Sequence, residues 1–371
     1  MASRQPSLLV VSVIVALAQG CGDVVIEPLA PPPAGLVARL RDSAVAGEMT
    51  WVDVSRPPSD TGALTFRSSD PAVLVVEADG RAFPLKAGRA TVSVASPGLT
   101  ASIDAAVRTR ADGWQVTFRF TWAPSDAEQE LFLQAAMRWQ RALRQSAATT
   151  TDVPAGACRP GAAAERITQQ GITVWVDRFA DGTVAPGVTG TADQCIVDEQ
   201  GRTRVGAMAV RRSFSDQAAG LTALERITWE NQFVHQLGQT LGLAGLTVFG
   251  VPRPELDLSN PAAPRWTWSG AVNAYRLAGG FEAGVPITAD LNFWQDDLGT
   301  GGDVMLPAIT AERRVTSVTL GALADRGYLT ESIRAEPPPL PAAGPSFVLR
   351  TAPWRGSIWV ARTGRVAERV R

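Results

Sequence analysis

The single histidine of this 371-residue chain, His235, lies in a segment whose spacing is typical of a zinc-binding helix. In the pattern H-E-x-x-H-x-x-G, two histidines four residues apart project from one helical face onto the metal. The glutamate beside the first histidine polarises the bound water, and the glycine lets the chain turn toward a third ligand. Here His235 and Gly242 keep their positions, whereas Gln236 replaces the glutamate and Gln239 replaces the second histidine.

These replacements remove the groups on which zinc chemistry depends. Zinc hydrolases hold the metal with three protein groups, and His235 supplies only one of them. A glutamine amide is a neutral oxygen donor, and the amide of Gln236 cannot take a proton from water. We therefore expect no catalytic residue, no metal and no other cofactor. The alternative is a rebuilt zinc site in which His235 is joined by two carboxylates from among Asp296, Asp297 and Asp303.

Segments that follow this helix resemble a family of proteases. Residues 301–307, which include Met305, and residues 315–328 resemble the methionine turn and the closing helix of the leishmanolysin-like metzincins. In that family a histidine-tryptophan pair shortly before the turn supplies the third zinc ligand. The matching pair in this chain is Phe293-Trp294, and phenylalanine offers no ligand atom. The resemblance therefore implies that the third ligand is absent as well.

Two earlier segments extend the likeness to the whole region of residues 112–332. Trp139, on a predicted helix, and the predicted strand at residues 172–176 are similar to the N-terminal subdomain of the same family. The resemblance implies an α+β, metzincin-like domain with a twisted mixed sheet, two long helices and a methionine turn. It implies the scaffold without the activity, because the ligand positions are replaced.

Local patterns predict the elements that would position His235. A helix is predicted to begin at a capping box formed by Ser125 and Glu128. A second helix, which carries His235, begins at the equivalent pair Thr222 and Glu225 and is predicted to end at Gly242. Strands are predicted at residues 114–122, 172–179 and 205–210.

Residues 35–110 show short alternating runs broken by turn signals, which is the pattern of an all-β sandwich. The Asp79-Gly80 pair predicts a tight hairpin, because it supplies the positive φ angles that such turns require. The segments 65–73, 78–81 and 86–92 resemble the bacterial Ig-like group 2 (Big2) domain. Members of that family are usually spacers or adhesive modules on exported proteins. We expect a spacer here, and a direct ligand role is the alternative.

The N-terminal residues 1–20 have the pattern of an export signal. Arg4 precedes an apolar run from Leu8 to Ala18, which is shorter than the roughly 20 residues that cross a membrane. Ala18, Gln19 and Gly20 then lead to Cys21, and this junction resembles the lipobox of bacterial lipoproteins, whose cysteine is lipidated and becomes the new N-terminus. The resemblance implies a lipid anchor at Cys21 on the exported side of the membrane, in the bacterial cell envelope. A secreted product with a free thiol is the alternative.

Two further cysteines remain once Cys21 is assigned to the anchor, namely Cys158 and Cys195. An exported chain reaches an oxidising compartment, where an even number of cysteines is usually paired. The sequence therefore predicts a disulfide between Cys158 and Cys195.

Three shorter segments complete the predicted organisation. Residues 21–34 form a tether after the signal, and residues 333–345 form a proline-rich linker. The last segment, residues 346–371, is basic, with six arginines against the single acid Glu368. We expect it to dock as a hairpin, and contact with an anionic surface is the alternative.

Together these features predict an exported lipoprotein with a catalytically inactive metalloprotease-like domain that acts as a binding or structural module at the cell envelope. Its partners would be the membrane, through the lipid anchor, and a protein or peptide. The net charge of -1 gives no field for binding nucleic acid, which we exclude. One alternative is a zinc metalloendopeptidase with an atypical or rebuilt metal site. Another is a domain that serves only in packing, with adhesion in the Ig-like module.

Overall fold

A computed structural model describes most of the chain. The predicted signal and the Cys21 anchor lie outside the described residues. Within the described part of the chain, no helix is both long and apolar enough to cross a membrane. The described residues are 34–110, 113–144, 147–180, 188–243, 247–248, 251–252, 254–280, 282–288, 294–295, 302–307, 313–331, 334–336, 350–353, 358–360 and 368–370.

Between residues 34 and 110 the regular elements are all β-strands. The strands are β1 (Val37–Leu40), β2 (Thr50–Ser55), β3 (Thr65–Ser68), β4 (Leu74–Val76), β5 (Arg81–Pro84), β6 (Gly88–Ser96) and β7 (Leu99–Val107). They form one antiparallel sheet in the order β1-β2-β5-β4 and a second in the order β3-β6-β7. Buried side chains from both sheets, such as Leu74 and Val92, share one core. We refer to this region as the β part.

The hairpin predicted at Asp79-Gly80 is confirmed. It joins β4 to β5, which pair antiparallel. Gly80 has a φ of 84°, in the left-handed region where a side chain is unfavourable. The backbone N–H of Arg81 donates to Asp79 Oδ1 at 3.1 Å, so the aspartate side chain closes the turn.

The remaining described residues mix helices and strands, and we refer to them as the α+β part. Its first half contains β8 (Gln115–Phe120), α1 (Asp126–Ala142), β9 (Leu143–Arg144), β10 (Thr149–Val153), β11 (Glu165–Gln169), β12 (Gly171–Phe179), β13 (Val188–Val197), β14 (Thr203–Arg211), α2 (Arg212–Gln217) and α3 (Ala223–Gly238). Its second half contains β15 (Thr247–Val248), β16 (Val251–Pro252), β17 (Leu256–Asp257), β18 (Arg265–Trp266), α4 (Ser269–Leu277), β19 (Val285–Pro286), α5 (Ser317–Asp325), β20 (Leu329–Thr330), β21 (Arg350–Pro353), β22 (Ile358–Val360) and β23 (Glu368–Val370).

The central sheet of the α+β part has the strand order β23-β22-β13-β14-β12-β8. Strands β8, β12 and β14 are parallel, and β13 runs antiparallel to β14. Residues Ile172, Val174 and Val176 of β12 point into the core that the sheet shares with the helices. The chain is therefore a mixed α/β protein in which a β-rich part precedes an α+β part. This order of a β-rich part and an α+β part agrees with the sequence-based prediction.

Both long helices begin as predicted. Ser125 and Glu128 form a capping box before α1, and Thr222 and Glu225 form one before α3. After α3 the chain continues in a π-helical turn, Gln239–Leu243, within which Gly242 has a φ of 95°. The regular α-helix thus ends at Gly238, four residues before the predicted glycine, and Gly242 then turns the chain.

The aromatic side chains of α1 serve in packing. Trp139 is fully buried, and its Nε1 donates to the backbone oxygen of Val234 on α3 at 2.9 Å. About two helical turns before Trp139, Phe132 of α1 stacks on Phe233 of α3 with ring centroids 4.0 Å apart. These contacts hold α1 against α3 on one face of the sheet. The position of α3 therefore depends on its packing against α1 as well as against the sheet.

The predicted disulfide between Cys158 and Cys195 is present, with the two Cα atoms 5.2 Å apart. It ties the loop between β10 and β11 to strand β13. Cys195 is buried in a small cluster with Ile167 and Val205. This cluster lies on the face of the sheet that is turned away from α3, since Val205 of β14 is an odd number of residues from Met208, whose side chain joins the helix-side core.

Reduction of this disulfide is expected to lower the free energy of unfolding by about 3 to 4 kcal/mol, because it closes a loop of 37 residues. Chemical denaturation of the Cys158→Ser, Cys195→Ser double variant, followed by fluorescence, measures the loss. The wild-type protein treated with reductant should move to the same midpoint. A double variant as stable as the oxidised wild type would contradict the prediction.

The C-terminal segment docks on the central sheet. Strand β21 pairs in parallel with β13 from Val188 to Ala192, and β22 pairs in parallel with its far end. Strands β22 and β23 form an antiparallel pair. The docked hairpin expected for this basic segment is therefore present, and the edge of β13 opposite β14 is occupied by it.

The β part is docked on the α+β part. Met49 and Phe83 form a buried apolar cluster with Met137 of α1. At the margin of this cluster, Arg141 Nη2 donates to Asp42 Oδ2 at 2.6 Å. The contacts join side chains that are far apart in sequence, so both parts contribute to the environment of α1.

Candidate functional site

The candidate site is built on the last turns of α3, where the helix lies unusually close to the sheet. A Cβ atom added at Gly190 of β13 would collide with the side chain of Gln236. One added at Gly206 of β14 would collide with Thr240. Only glycine at these two strand positions allows the close approach, which brings the backbone of β13 beside the segment that carries His235 and Gln239.

His235 is fully buried, and its Nδ1 lies 2.7 Å from the backbone oxygen of Val304. A carbonyl oxygen only accepts, so Nδ1 carries the hydrogen and donates it. Burial lowers the pKa of the imidazole to about 4, against a smaller opposing effect of this hydrogen bond. At neutral pH, His235 is therefore an uncharged ring held by the chain that precedes Met305.

Met305 lies directly against the same helix. A Cβ added at Gly238 would come within 2.5 Å of Met305 Sδ, so the glycine makes room for the methionine. The backbone N–H of Trp294 donates to the Met305 oxygen at 2.9 Å, which places the chain of Trp294 beside the turn. Met305 thus packs one turn beyond His235, in the same layer. Phe293, the neighbour of Trp294, lies outside the described residues.

Asp303 holds this turn together. Its carboxylate accepts from the backbone N–H of Met305 at 2.6 Å and from the hydroxyl groups of Thr316 and Thr319. Burial raises the pKa of Asp303, and these hydrogen bonds oppose the rise. Its oxygens are therefore engaged in joining the Met305 turn to the start of α5. Asp296 and Asp297, the other two candidate carboxylates of the alternative zinc site, lie outside the described residues.

Gln236 and Gln239 are also buried. The Nε2 of Gln236 lies 3.5 Å from the backbone oxygen of Thr191, at the outer limit of a hydrogen bond. Within the described part of the chain, Gln236 Oε1 is buried without a hydrogen-bond partner. One imidazole and two carboxamides do not fit the donor set that zinc takes in proteins, which is thiolate, imidazole or carboxylate.

No protein-family model matches the chain, and no curated protein matches it at a significant level. Its site is therefore interpreted from its own residues. Among the residues that the structure describes, no three His, Cys, Asp or Glu side chains are grouped so that they could hold a metal ion.

The structure brings together most of the residues that the sequence singled out. His235, Gln236 and Gln239 lie in consecutive turns at the end of α3, and Met305 and Asp303 form the turn packed against them. The pair Cys158 and Cys195 lies elsewhere, on the opposite face of the sheet.

Sequence reasoning missed a buried ionic cluster at the middle of α3. Glu230 is 1% exposed and accepts from Arg81 of the β part and, at 3.1 Å, from Arg138 of α1. Arg138 also donates to both carboxylate oxygens of Glu336 at 2.6 Å. Glu336 falls within the predicted proline-rich linker, residues 333–345, and in the structure it is buried in this cluster. Its partner Arg138 is 198 residues away, and no local pattern signals such a pair.

Asp193 is a second residue that the sequence did not single out. It lies on β13, and burial raises the pKa of its carboxyl group to about 7, while its hydrogen bond from the Gln194 backbone opposes the rise. Asp193 and Gly190 are an odd number of residues apart and therefore occupy opposite faces of the strand. Asp193 thus belongs to the face that carries Cys195 and does not face Gln236.

The single histidine permits a direct test of the site's burial. In the folded protein, the ring of His235 should stay neutral from pH 8 down to about pH 5, because burial holds its pKa near 4. Since the unfolded chain takes up this proton near pH 6.5, folding stability should fall by about 3 kcal/mol as the pH drops from 6.5 to 4, and should be unaffected by this group above 6.5.

NMR of the imidazole resonances measures this pKa without ambiguity in a sample free of a histidine tag. The His235→Gln variant serves as the control for the stability curve, because its side chain does not titrate. Its free energy of unfolding should approach that of the wild type, or exceed it, as the pH falls. A ring that titrates with a midpoint near 6.5 would show that His235 is accessible to water.

Proposed function

We propose that this chain is an exported, lipid-anchored protein of the bacterial cell envelope that acts as a binding or structural module on an inactive metzincin-like scaffold. The observation that carries the proposal is the state of His235, which is a buried neutral ring that donates to Val304 and is followed in the chain by Gln236 and Gln239. A working site needs two further ligands and a base at the positions that these glutamines and Phe293 occupy.

The placement of Met305 supports the metzincin-like part of the proposal. The methionine packs against Gly238, in the turn that follows His235, and the chain of Trp294 runs beside it. A mixed sheet in which β8, β12 and β14 are parallel and β13 is antiparallel to β14, with two long helices on one face, agrees with the same scaffold. The two antiparallel sheets of the β part, with four and three strands around one core, agree with an Ig-like sandwich.

The C-terminal segment bears on where a partner would bind. Strand addition at a free sheet edge is a common way of holding a peptide. In this protein the outer edge of β13 is paired with β21 and β22, so a peptide could pair there only after those strands leave. We therefore place the partner surface of the module away from this edge.

The metal content of the purified protein tests the inactive-scaffold proposal. We expect no stoichiometric zinc and no cleavage of unstructured peptides, with or without added zinc. Elemental analysis and a peptide-digestion assay are the measurements, and His235→Ala is the matched control. About one tightly bound zinc per wild-type chain, lost in His235→Ala, would overturn the proposal and favour the rebuilt peptidase site.

The anchor is tested separately by the Cys21→Ser variant. Because the lipid would be attached to this thiol, the variant is expected to leave the membrane fraction or to remain unprocessed. Cell fractionation and the mass of the mature chain are the measurements. A Cys158→Ser variant, which alters a thiol that we do not assign to the lipid, should remain with the membranes. Membrane association of Cys21→Ser at the wild-type mature mass would exclude the anchor.

A further inference from the structure

A cleft of about 710 Å³ opens between the β part and the α+β part. One wall is formed by residues of β1 and β2, with Arg39, Trp51 and Val54 among them. The facing wall includes Arg138 and Arg313 of the α+β part. Its volume lies in the range of roughly 300 to 1,000 Å³ that small-molecule sites occupy.

The lining of this cleft is strongly basic. Its described residues include three carboxylates, from Asp53, Asp79 and Glu336. Against these stand seven guanidinium groups, so the lining has a formal surplus of four positive charges. The guanidinium groups belong to Arg39, Arg41, Arg56, Arg81, Arg138, Arg313 and Arg314. The protein as a whole has a net charge of -1, so this surplus is local to the cleft.

The three carboxylates are already engaged. Arg41 Nε donates to Asp53 at 3.0 Å, and Arg81 Nε donates to Asp79 at 2.6 Å. Both carboxylate oxygens of Glu336 accept hydrogen bonds from the guanidinium group of Arg138. Arg39, whose side chain is 79% exposed, also lies 3.9 Å from Asp53, so Arg39 and Arg41 share this carboxylate. The lining still holds more guanidinium groups than carboxylates, and the field of like charges adds in the space between the two walls.

Arg81 supplies an independent indication of a ligand. Its side chain is 8% exposed, and it lines the cleft from the base of the Asp79-Gly80 hairpin. Two of its nitrogens donate to Asp79 and Glu230, whereas Nη2 is buried and has no acceptor within the described part of the protein. A buried donor without an acceptor is costly, and an oxyanion in the cleft would supply one.

We propose that this cleft binds a small polyanion that carries phosphate or carboxylate groups, with Arg81 at its base and Arg39 and Arg313 on opposite walls. A guanidinium group can bind either a phosphate or a carboxylate group through two parallel N–H donors, and a lysine side chain cannot. The apolar surface of Val54 and Leu64 leaves room for an organic body attached to the charged groups. This binding role does not depend on the metzincin-like site.

Isothermal titration calorimetry with pyrophosphate and with citrate tests the proposal on the full mature chain. We expect saturable binding at one site for at least one of them, weakening as potassium chloride is added because the contacts are ionic. Binding of pyrophosphate alone assigns a phosphorylated ligand, and binding of citrate alone assigns a polycarboxylate. Absence of saturable binding for both would overturn the proposal.

Variants locate the binding. Arg39→Gln and Arg313→Gln each remove one charge from opposite walls and should weaken binding about tenfold, the worth of one charge-assisted contact. The matched control is Arg67→Gln, an exposed arginine of β3 in the other sheet of the β part. Arg81→Gln should abolish binding, but this change also disturbs the Glu230 cluster, so the two wall variants decide the question. Binding to both wall variants with wild-type affinity would place the anion elsewhere.

Discussion

Replacing Glu230 with glutamine is expected to lower the free energy of unfolding by about 3 to 5 kcal/mol. Glu230 lies between the guanidinium groups of Arg81 and Arg138, and all three side chains are at least nine-tenths buried. Loss of the carboxylate leaves each cation with one acid, Asp79 for Arg81 and Glu336 for Arg138, and removes the negative charge that lies between the two guanidinium groups. Such uncompensated buried charge is among the most destabilising single changes that a fold can suffer.

Urea denaturation followed by fluorescence measures this change. Glu130→Gln is a matched control, because Glu130 forms an ion pair with Arg226 near the surface, with 40% of its side chain exposed. The control should alter stability by no more than about 1 kcal/mol. Since Arg81 comes from the β part, Glu230→Gln should also loosen the junction, visible as faster proteolysis between the two parts. Equal effects of the two variants would show that the buried cluster contributes little.

The combined substitution Gln236→Glu, Gln239→His and Phe293→His is expected to create zinc binding, at about one ion per chain. It supplies the missing base and the two missing ligands around His235, on a helix that already places residues 235 and 239 on one face. The ring of His235 already donates its Nδ1 hydrogen to Val304, a bond of the kind that orients metal-bound imidazoles. Zinc affinity by competition with a chromogenic chelator is the measurement.

Two controls make this restoration decisive. Adding His235→Ala to the combined variant should abolish zinc binding, because three protein ligands are required. Gln236→Glu alone should bind no zinc, since the glutamate of this pattern is a base and not a ligand. Failure of a folded combined variant to bind zinc would show that the scaffold does not bring residue 293 to the helix, and would remove the metzincin-like interpretation.

Local sequence patterns were sufficient to predict the structure wherever the interacting groups are neighbours in the chain. The capping boxes at Ser125 and Thr222 join residues three positions apart, and the Asp79-Gly80 turn is closed by the aspartate itself. The strands β12 and β14 could be predicted from continuous apolar runs, because both of their faces are buried. In these cases the energy that selects the conformation comes from within a few residues.

The spacing of His235 and Gln239 also predicted which side of α3 carries the candidate site, because residues four positions apart share a face of any α-helix. It could not determine the partner of that face. The bond from His235 to Val304 spans 69 residues, and Met305 reaches Gly238 only because the chain after α4 returns beneath α3. The glycines at 190 and 206, which look unremarkable in strands, are needed because the helix approaches the sheet at these two points.

By itself, the sequence determined the helix caps and the tight turn, since these depend on contacts within one short segment. It also determined the cysteine pair and the absence of a second histidine, since these depend only on how many residues of each type the chain contains. Only the tertiary structure decided that Arg81 meets Glu230 across 149 residues and that Glu336 ends in the core. Only it decided that arginines from both parts line one cleft. Burial and charge pairing between distant segments depend on how whole elements pack, and no local preference of the chain encodes that arrangement.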